Sequence, residues 1–342
     1  GLFDNLDREL DGWLIKSENY QALRTFGPKF RARVQCIYID PPYNSPASEI
    51  MYENMYKSSS WLAMIEDRLD LARELLLDNG ILCIAIDDNE FHRLTHVVAK
   101  HFPEILGVVV VRSNPAGRSA PKGFSLAHEY AVFAARSEGA SIGRLERTED
   151  QIKRYSEQDE KGPFEWVNFR KHGGLREQAP RMFYPIYVTS STLRVPRMTW
   201  DEEERAWNVE EEPHPEEKRL LPIDEGGQER RWKWGHERLI QAPGEFKVRS
   251  DRSGQLAVYI KSRMSKQGVS PSSWWDRKEY SATDHGTRIL KTLFSEHGIF
   301  SYPKSPYLVE DCLRVANLDV SKIALDFFAG SGTTAHAVIN LN

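Results

Sequence analysis

The chain has 342 residues, of which 40% are hydrophobic and 28% charged, and its formal net charge is −4. This much apolar surface is enough for one large domain or two ordinary ones, so disorder is not the default expectation. The negative net charge argues against a protein that binds nucleic acid through its whole surface, but it allows a local basic groove.

No apolar stretch approaches the roughly 20 residues that span a bilayer, so we expect a soluble, cytoplasmic protein with no membrane partner. The three cysteines, Cys36, Cys83 and Cys312, stand singly without a C-x-x-C pair. This pattern predicts neither a disulfide framework nor a cysteine zinc site. His92 and His96 have i, i+4 spacing but no third ligand motif, so we predict no metal site.

The first part of the chain alternates between apolar strands and amphipathic helices. The continuous apolar run that ends at Asp40 is typical of a strand covered on both faces, as in a parallel sheet. This rhythm predicts an α/β fold with a doubly wound, mostly parallel, Rossmann-like sheet. The predicted helices are residues 17–26, 60–78 (stopped by Asn79-Gly80) and 89–102, and the predicted strands are residues 34–40, 81–88, 105–113 and 128–136.

From about residue 140 the rhythm fails, and the chain becomes polar and rich in prolines, aromatics and, in one stretch, acids. We therefore predict that residues 140–280 are an insert with its own role. Basic residues recur among aromatic ones between residues 228 and 266, which suits a nucleic-acid face, although a solvated face over an aromatic core gives the same pattern. The candidate DNA-binding residues are Arg230, Arg231, Lys233, Arg238, Arg249 and Arg252.

The α/β pattern returns in residues 281–342, with helices predicted near 286–296 and 306–317 and a strand at 322–328. The strand runs directly into a turn that contains Gly330 and Gly332. Glycines allow a tight turn and the close approach of a ligand, and the following helix N-terminus offers free N–H groups. The spacing matches neither a dinucleotide fingerprint nor a P-loop. It suits a smaller ligand that has a carboxylate and an adenosine.

The tetrapeptide Asp40-Pro41-Pro42-Tyr43 follows the first predicted strand. Each proline fixes its own φ and forces the preceding residue into an extended conformation, so the corner is rigid. We expect Asp40 to lie at the carboxyl end of a parallel strand, which is the edge where open α/β sheets bind their ligands.

These two motifs, DPPY at residues 40–43 and FAGSG at residues 328–332, resemble the catalytic and cofactor motifs of amino-directed DNA methyltransferases that use S-adenosylmethionine. Their order is similar to that of the permuted β-class, in which a target-recognition region lies between them. Longer stretches, including "SSWLAMIEDRLDLARELLLDNGILCIAIDDNE", "HEYAVFAAR" and "LDFFAGSGTTAHAVINLN", resemble the modification subunit of type III restriction–modification systems. The family typically has PKP where this chain has PKSP at residues 303–306.

The resemblance implies transfer of a methyl group to the N6 amino group of a flipped-out adenine in double-stranded DNA. Asp40 and the Pro41 carbonyl would accept the two N–H groups, Pro42 would fix the corner, and Tyr43 would stack on the base. Residues 1–139 would be the catalytic half, residues 140–280 the target-recognition insert and residues 281–342 the cofactor half. The implied cofactor-binding residues are Asp326, Phe328, Ala329, Gly330, Ser331, Gly332, Thr333 and Thr334, with Pro303 and Lys304 beside them.

Two alternatives remain open. Aspartate at position 40 favours adenine, whereas cytosine-N4 enzymes of this style more often have serine there, so cytosine-N4 transfer is the first alternative. The chain stops at Asn342, before the strand whose terminal acid we expect to hold the cofactor ribose, so the cofactor half is expected to be truncated. This motivates the second alternative, a catalytically inactive DNA-binding or assembly subunit of the same fold. The resemblance also implies a homodimer and a separate restriction subunit.

Overall fold

The structure is a computed structural model, and it describes residues 10–44, 58–117, 123–251, 254–294 and 300–342. The chain divides into two compact units, the first formed by Gly1–Glu146 with Gln267–Asn342 and the second by Arg147–Lys266. The second unit lies inside residues 140–280, for which the sequence predicts an insert, and Trp274 and Trp275 pair with Val110 and Val111 in the first unit. Leu145 forms an antiparallel bridge with Val269 within the first unit.

The N-terminal part of the first unit follows the predicted alternation of helices and strands. One helix ends earlier than expected, at Leu75, because the next residue, Leu76, already pairs with Val34 in the sheet. The elements are α1 (Asn19–Phe30), β1 (Val34–Ile39), α2 (Ser58–Leu75), β2 (Leu76–Ile86), α3 (Phe91–His101), β3 (Glu104–Val111) and β4 (Glu129–Ala135).

The second unit is built mainly from short antiparallel strands. Its described residues form one four-stranded, one three-stranded and two two-stranded sheets around an apolar core that includes Phe169, Tyr184 and Trp232. The elements are α4 (Glu149–Lys153), β5 (Glu157–Asp159), β6 (Gly162–Asn168), β7 (Arg170–Leu175), β8 (Ile186–Val188), β9 (Leu193–Arg194), β10 (Met198–Asp201), β11 (Ala206–Val209), β12 (Lys218–Leu220), β13 (Arg230–Trp232), α5 (His236–Gln241), β14 (Phe246–Ser250) and β15 (Leu256–Arg263).

The chain then returns to the first unit. A single π-helical turn, Thr283–Thr287, leads into the first of three further helices. The elements are β16 (Trp274–Trp275), α6 (Arg288–Phe294), α7 (Pro306–Val315), β17 (Ile323–Leu325) and α8 (Thr333–Leu341).

Within the described residues, the first unit contains a six-stranded sheet with the order β16-β3-β4-β2-β1-β17. Strands β17, β1 and β2 are parallel to one another, as are β3 and β16. Strand β4 runs antiparallel to both of its neighbours, β2 and β3. The expected α/β sheet is therefore confirmed, and β4 makes it a mixed one. Because β4 is reversed, its first residue lies at the edge where its neighbours β2 and β3 end.

Helices cover both faces of this sheet, which is the doubly wound arrangement. In β1, Cys36 and Tyr38 belong to the apolar layer shared with α7 and α8, whereas Ile37 and Ile39 belong to the layer shared with α1, α2 and α3. Alternate side chains of a strand point to opposite faces, so a strand apolar at every position has to be covered twice. No helix among the described residues is both long and apolar enough to cross a membrane.

Candidate active site

The proline corner lies where β1 leaves the sheet. The six residues of β1 are all buried, and the next residue, Asp40, has 26% of its side chain exposed. Pro41 is buried, and the indole Nε1 of Trp61 in α2 donates a hydrogen bond of 2.8 Å to the Pro42 carbonyl. The sequence thus forms a rigid exit from the strand, since two fixed φ angles and one buried tryptophan hold the same three residues.

The glycine turn lies at the end of the neighbouring strand, β17. Gly330 and Gly332 have φ values of +51° and +78°, which L side chains rarely adopt. Asp326 fixes the turn from inside: its carboxylate accepts hydrogen bonds from the Phe328 N–H at 2.8 Å and from the Thr334 hydroxyl at 2.6 Å. Because β1 and β17 are adjacent and parallel, the proline corner and the glycine turn emerge at the same edge of the sheet.

A single cavity of about 2040 Å³ in the first unit is lined by both features. Ser331 and Thr333 do not line it but line a smaller cavity of about 350 Å³, together with Pro303, Lys304 and Gly332. The candidate residues that line the large cavity are Asp40, Pro41, Pro42, Tyr43, Pro303, Lys304, Asp326, Phe328, Ala329, Gly330, Gly332 and Thr334.

Four polar side chains at this edge form what we call the Lys304 cluster: Asp40, Tyr43, Glu129 and Lys304. The Lys304 ammonium lies 2.6 Å from Glu129 Oε2 and 3.3 Å from Asp40 Oδ1, and it also contacts the Tyr43 hydroxyl. That hydroxyl donates a hydrogen bond of 3.0 Å to Glu129 Oε2. The exposed fractions of the Lys304 and Glu129 side chains are only 11% and 9%, so these contacts are largely shielded from water.

Burial and charge act against each other in this cluster. Burial raises the pKa of Asp40, the Lys304 ammonium lowers it, and the Glu129 carboxylate raises it further. Burial alone would lower the pKa of Lys304, but the Asp40 and Glu129 carboxylates outweigh it, so this pKa lies above its usual value. The ammonium therefore stays charged at neutral pH. Shifts with opposing causes concentrated in one cleft are typical of functional sites.

Glu129 was not among the residues that we predicted from the sequence. It is the first residue of the apolar strand β4, and it is 7% exposed. An acid directly before an apolar strand was a readable signal, equivalent to Asp40 directly after one. The ligand edge of a parallel sheet lies at the carboxyl ends of its strands, and Glu129 reaches that edge from the start of the antiparallel strand β4.

The glycine turn fits a ligand with an anionic group. A Cβ built on Gly332 meets no atom within 4 Å, so the backbone at the start of α8 is open to approach. The first N–H groups of a helix lack partners within the helix and attract anions. Each carboxylate oxygen of Asp326 already accepts one hydrogen bond from the turn itself, so this side chain is part of what shapes the turn.

We expect the Asp326→Asn substitution to stabilise the fold at alkaline pH. Burial raises the pKa of Asp326 from its ordinary value of 3.8 to about 7, so the folded chain binds this proton more tightly than the unfolded chain. The buried charge therefore opposes folding above pH 7, by at most about 4 kcal/mol, and this cost decreases as the pH falls towards 4. Urea unfolding should show a clear gain for the variant at pH 8 and a smaller one at pH 5. A gain that is equal at both pH values would contradict the assignment.

The candidate DNA-binding residues lie in the second unit and differ in how far local contacts engage them. Arg238 is exposed and lies over the Trp234 ring at 3.7 Å, and the exposed Arg249 is 3.5 Å from Glu157. Arg230 pairs with Asp224 at 2.7 Å, and Lys233 donates to the Asn168 carbonyl at 2.6 Å. Arg231 is partly buried. Arg252 lies outside the described residues.

The fold and the site define an α/β protein with a large cavity at the carboxyl edge of its parallel strands. Residues 34–342 match a family described as DNA methylase. Type II methyltransferase M.KpnI of Klebsiella pneumoniae is 32% identical over 336 residues, which are 94% of this chain and 74% of that protein. The chain belongs to the DNA methylase family.

Other relatives are longer than this chain. The EcoPI Mod subunit, from a type III restriction–modification enzyme of Escherichia phage P1, is 29% identical over 96% of this chain and 55% of that protein. Three type III Mod subunits match 96% of this chain. The chain spans only about half the length of each of them, between 50% and 56%. Among solved structures, the M1.HpyAVI–SAM complex is 15% identical, with a TM-score of 0.29 over 39% of this chain and 59% of that one.

Proposed function

We propose that the chain transfers a methyl group from S-adenosylmethionine to the N6 amino group of adenine in double-stranded DNA, as the modification component of a restriction–modification system. The observation that carries the proposal is the single cavity lined by both Asp40 and the glycine turn. A carboxylate that can hold an amino group and a backbone turn that can hold an anionic cofactor thus lie at one edge of the sheet. Membership of the DNA methylase family supports the same reaction.

The cofactor would lie against the glycine turn, with Phe328, Ala329 and Gly330 beside it and the first N–H groups of α8 facing its carboxylate. Bound there, S-adenosylmethionine supplies an electrophilic methyl group on a sulfonium. A side chain at Gly332 would project into space that is open in the structure and would block this approach. Pro303 and Lys304 line the same cavity and would close it from the other side.

The proline corner would act on the amino nitrogen. The lone pair of an adenine amino group is delocalised into the ring, so the nitrogen is a poor nucleophile. The Asp40 carboxylate and the Pro41 carbonyl can each accept one N–H and draw the nitrogen towards tetrahedral geometry. Among the hydrogen bonds of the described residues, none has the Pro41 carbonyl as its acceptor, whereas the Pro42 carbonyl is taken by Trp61. The two prolines hold the free carbonyl in place before the substrate arrives.

The base has to leave the duplex to reach this corner. Tyr43 lines the cavity and would offer its ring for stacking, which is worth about 1–3 kcal/mol per base.

We propose that the second unit, Arg147–Lys266, recognises the target sequence. We also propose that the chain forms a homodimer, acts with a separate restriction subunit and works in the cytoplasm, where the DNA is.

The product identifies the reaction. The chain is incubated with DNA and S-adenosylmethionine labelled in the methyl group, and the DNA is digested to nucleosides for mass spectrometry. We expect labelled N6-methyladenine. N4-methylcytosine would establish the cytosine alternative, and DNA binding without any labelled nucleoside would favour the inactive assembly subunit.

We expect the Arg238→Ala substitution to weaken DNA binding at every sequence tested. The Arg238 side chain is exposed and rests on the Trp234 ring, so it can reach a phosphate without giving up a buried ion pair. Loss of one phosphate contact makes the negative slope of log K against log salt less steep by about 1. Fluorescence anisotropy across salt concentrations measures this slope. Arg154→Ala is the matched control, because Arg154 is also exposed in the same unit but pairs with Glu165 at 3.2 Å. Equal slopes for both variants would remove Arg238 from the DNA-binding surface.

A further inference from the structure

The Lys304 cluster contains two carboxylates and one ammonium, and the ammonium is shared unequally. Lys304 Nζ is 2.6 Å from Glu129 Oε2 but 3.3 Å from Asp40 Oδ1. The shorter distance is that of a full charge-assisted hydrogen bond, and the longer one is not. Glu129 therefore holds the ammonium more closely, and Asp40 keeps a longer ion pair with it.

This inequality matters because of what Asp40 has to do. A carboxylate can accept an N–H from a substrate only with lone pairs that no other donor occupies. An ammonium paired fully with Asp40 would compete with the amino group for the same oxygen atoms. A lysine placed this close to Asp40 without a second acid would be expected to pair with it.

Glu129 also shows a sign of a role beyond stability. Its Oε2 accepts from both Lys304 and Tyr43, while its Oε1 is buried without a hydrogen-bond partner among the described residues. Buried polar atoms that serve only the fold are normally satisfied. Glu129 also lines the large cavity, so this side chain belongs to the site.

We propose that Glu129 is a positioning residue that draws the Lys304 ammonium away from Asp40, so that the Asp40 carboxylate keeps a lone pair with which to accept the N–H of the substrate amino group. The Glu129 carboxylate also accepts a hydrogen bond from the Tyr43 hydroxyl, and this contact holds the aromatic ring of the corner in place. The proposal rests on the proposed function for its chemistry, but the position of Lys304 can be tested without it.

Several titratable groups surround Asp40 and set the pH at which it ionises. Glu129 raises the pKa of Asp40 and Lys304 lowers it, in addition to the effect of burial. Glu129→Gln removes a negative neighbour and frees Lys304 to pair with Asp40, so both changes lower this pKa. Lys304→Met removes the positive neighbour and raises it. The other groups near Asp40 stay the same in both variants: Tyr38 in β1, Tyr43 in the corner and Asp326 after β17. Asp87 after β2, which interacts with Lys304, also stays the same.

The first experiment measures methyl transfer against pH. For Glu129→Gln we expect kcat at the plateau of the pH–rate profile to fall about tenfold, while KM for DNA changes little. We also expect the acid limb of the profile, where the rate falls as Asp40 is protonated, to move down by roughly one pH unit. For Lys304→Met we expect the acid limb to move up. A residue needed only for folding would not move the two limbs in opposite directions. Limbs that stay in place in both variants would overturn the proposal.

The second experiment is a crystal structure of Glu129→Gln without ligands. We expect Lys304 Nζ to move onto Asp40, to about 2.8 Å from an oxygen of its carboxylate. An ammonium that stays nearer to the introduced amide than to Asp40 would overturn the proposal, whatever reaction the chain catalyses.

If the wild-type chain transfers no methyl group, the proposed function fails, and this structure still decides the role of Glu129. If Glu129→Gln does not fold, a structure of Glu129→Asp decides instead, because its retained charge is expected to keep the ammonium off Asp40.

The matched control is Glu104→Gln. Glu104 begins β3 and pairs with Ala135, while Glu129 pairs with Val111 at the other end of the same two strands. The control thus replaces an acid by its amide at the opposite edge of the sheet. We expect it to leave kcat and the acid limb unchanged, and a matching shift in this control would also count against Glu129.

Discussion

Asp40→Ala is expected to reduce methyl transfer by at least about 10²–10³-fold, the usual cost of removing one preorganised polar group that acts in the transition state. The substitution removes the side chain that would accept one amino N–H. It leaves the Pro41 carbonyl and the Trp61 contact with Pro42 in place. DNA binding is expected to stay nearly intact, because the predicted DNA contacts come from the second unit. Single-turnover transfer assays and anisotropy titrations measure the two properties separately.

The control for Asp40 is Asp78→Ala, which removes an acid near the start of β2, at the opposite edge of the sheet. The Asp78 side chain is 92% exposed, so its loss should change neither transfer nor binding. Transfer that persists in Asp40→Ala at a rate near that of the control would rule out the proposed role of the carboxylate.

Gly332→Val is expected to weaken S-adenosylmethionine binding by at least about tenfold. The residue has a φ of +78°, and holding an L side chain in the left-handed region costs ~1–2 kcal/mol, more for a β-branched one. The valine side chain would also occupy space that is open in the structure and that the ligand would need. Isothermal titration calorimetry measures the change directly.

Gly227→Val separates strain from ligand binding. Gly227 has a φ of +80°, and its Cβ position is also open, but it lies in an exposed turn of the second unit. Both variants carry similar backbone strain, so both should lose similar stability. We expect only Gly332→Val to lose cofactor affinity, and equal affinity in the two variants would contradict the placement of the cofactor at the glycine turn.

The two motifs singled out in the sequence both line the large cavity, and the geometry of a parallel sheet explains why they lie at one edge. Asp40 and Gly330 both follow apolar strands, and the carboxyl ends of adjacent parallel strands meet at one edge of a sheet. The pattern of strand, helix and strand predicted such a sheet, and the resemblance to amino-directed DNA methyltransferases implied that the two motifs serve one site. Strands β1 and β17 are adjacent and parallel, as this argument requires.

The remaining features depend on information that local pattern does not contain. Glu129 reaches the site because β4 is antiparallel, and an apolar strand has the same periodicity in either direction. Helix α2 ends at Leu75 because of a sheet pairing with Val34, whereas Asn79-Gly80 suggested a later stop. The basic run of the second unit did not reveal that Arg230 pairs with Asp224, because ion pairs depend on tertiary contacts.

The most direct test of the central claim is a crystal structure of the chain with target duplex DNA and a non-reactive analogue of S-adenosylmethionine. The account predicts an adenine outside the duplex, its amino nitrogen about 2.6–3.2 Å from both an Asp40 carboxylate oxygen and the Pro41 carbonyl oxygen, and the analogue against residues 328–332. A target base bound away from Asp40, or an analogue bound away from the glycine turn, would contradict it.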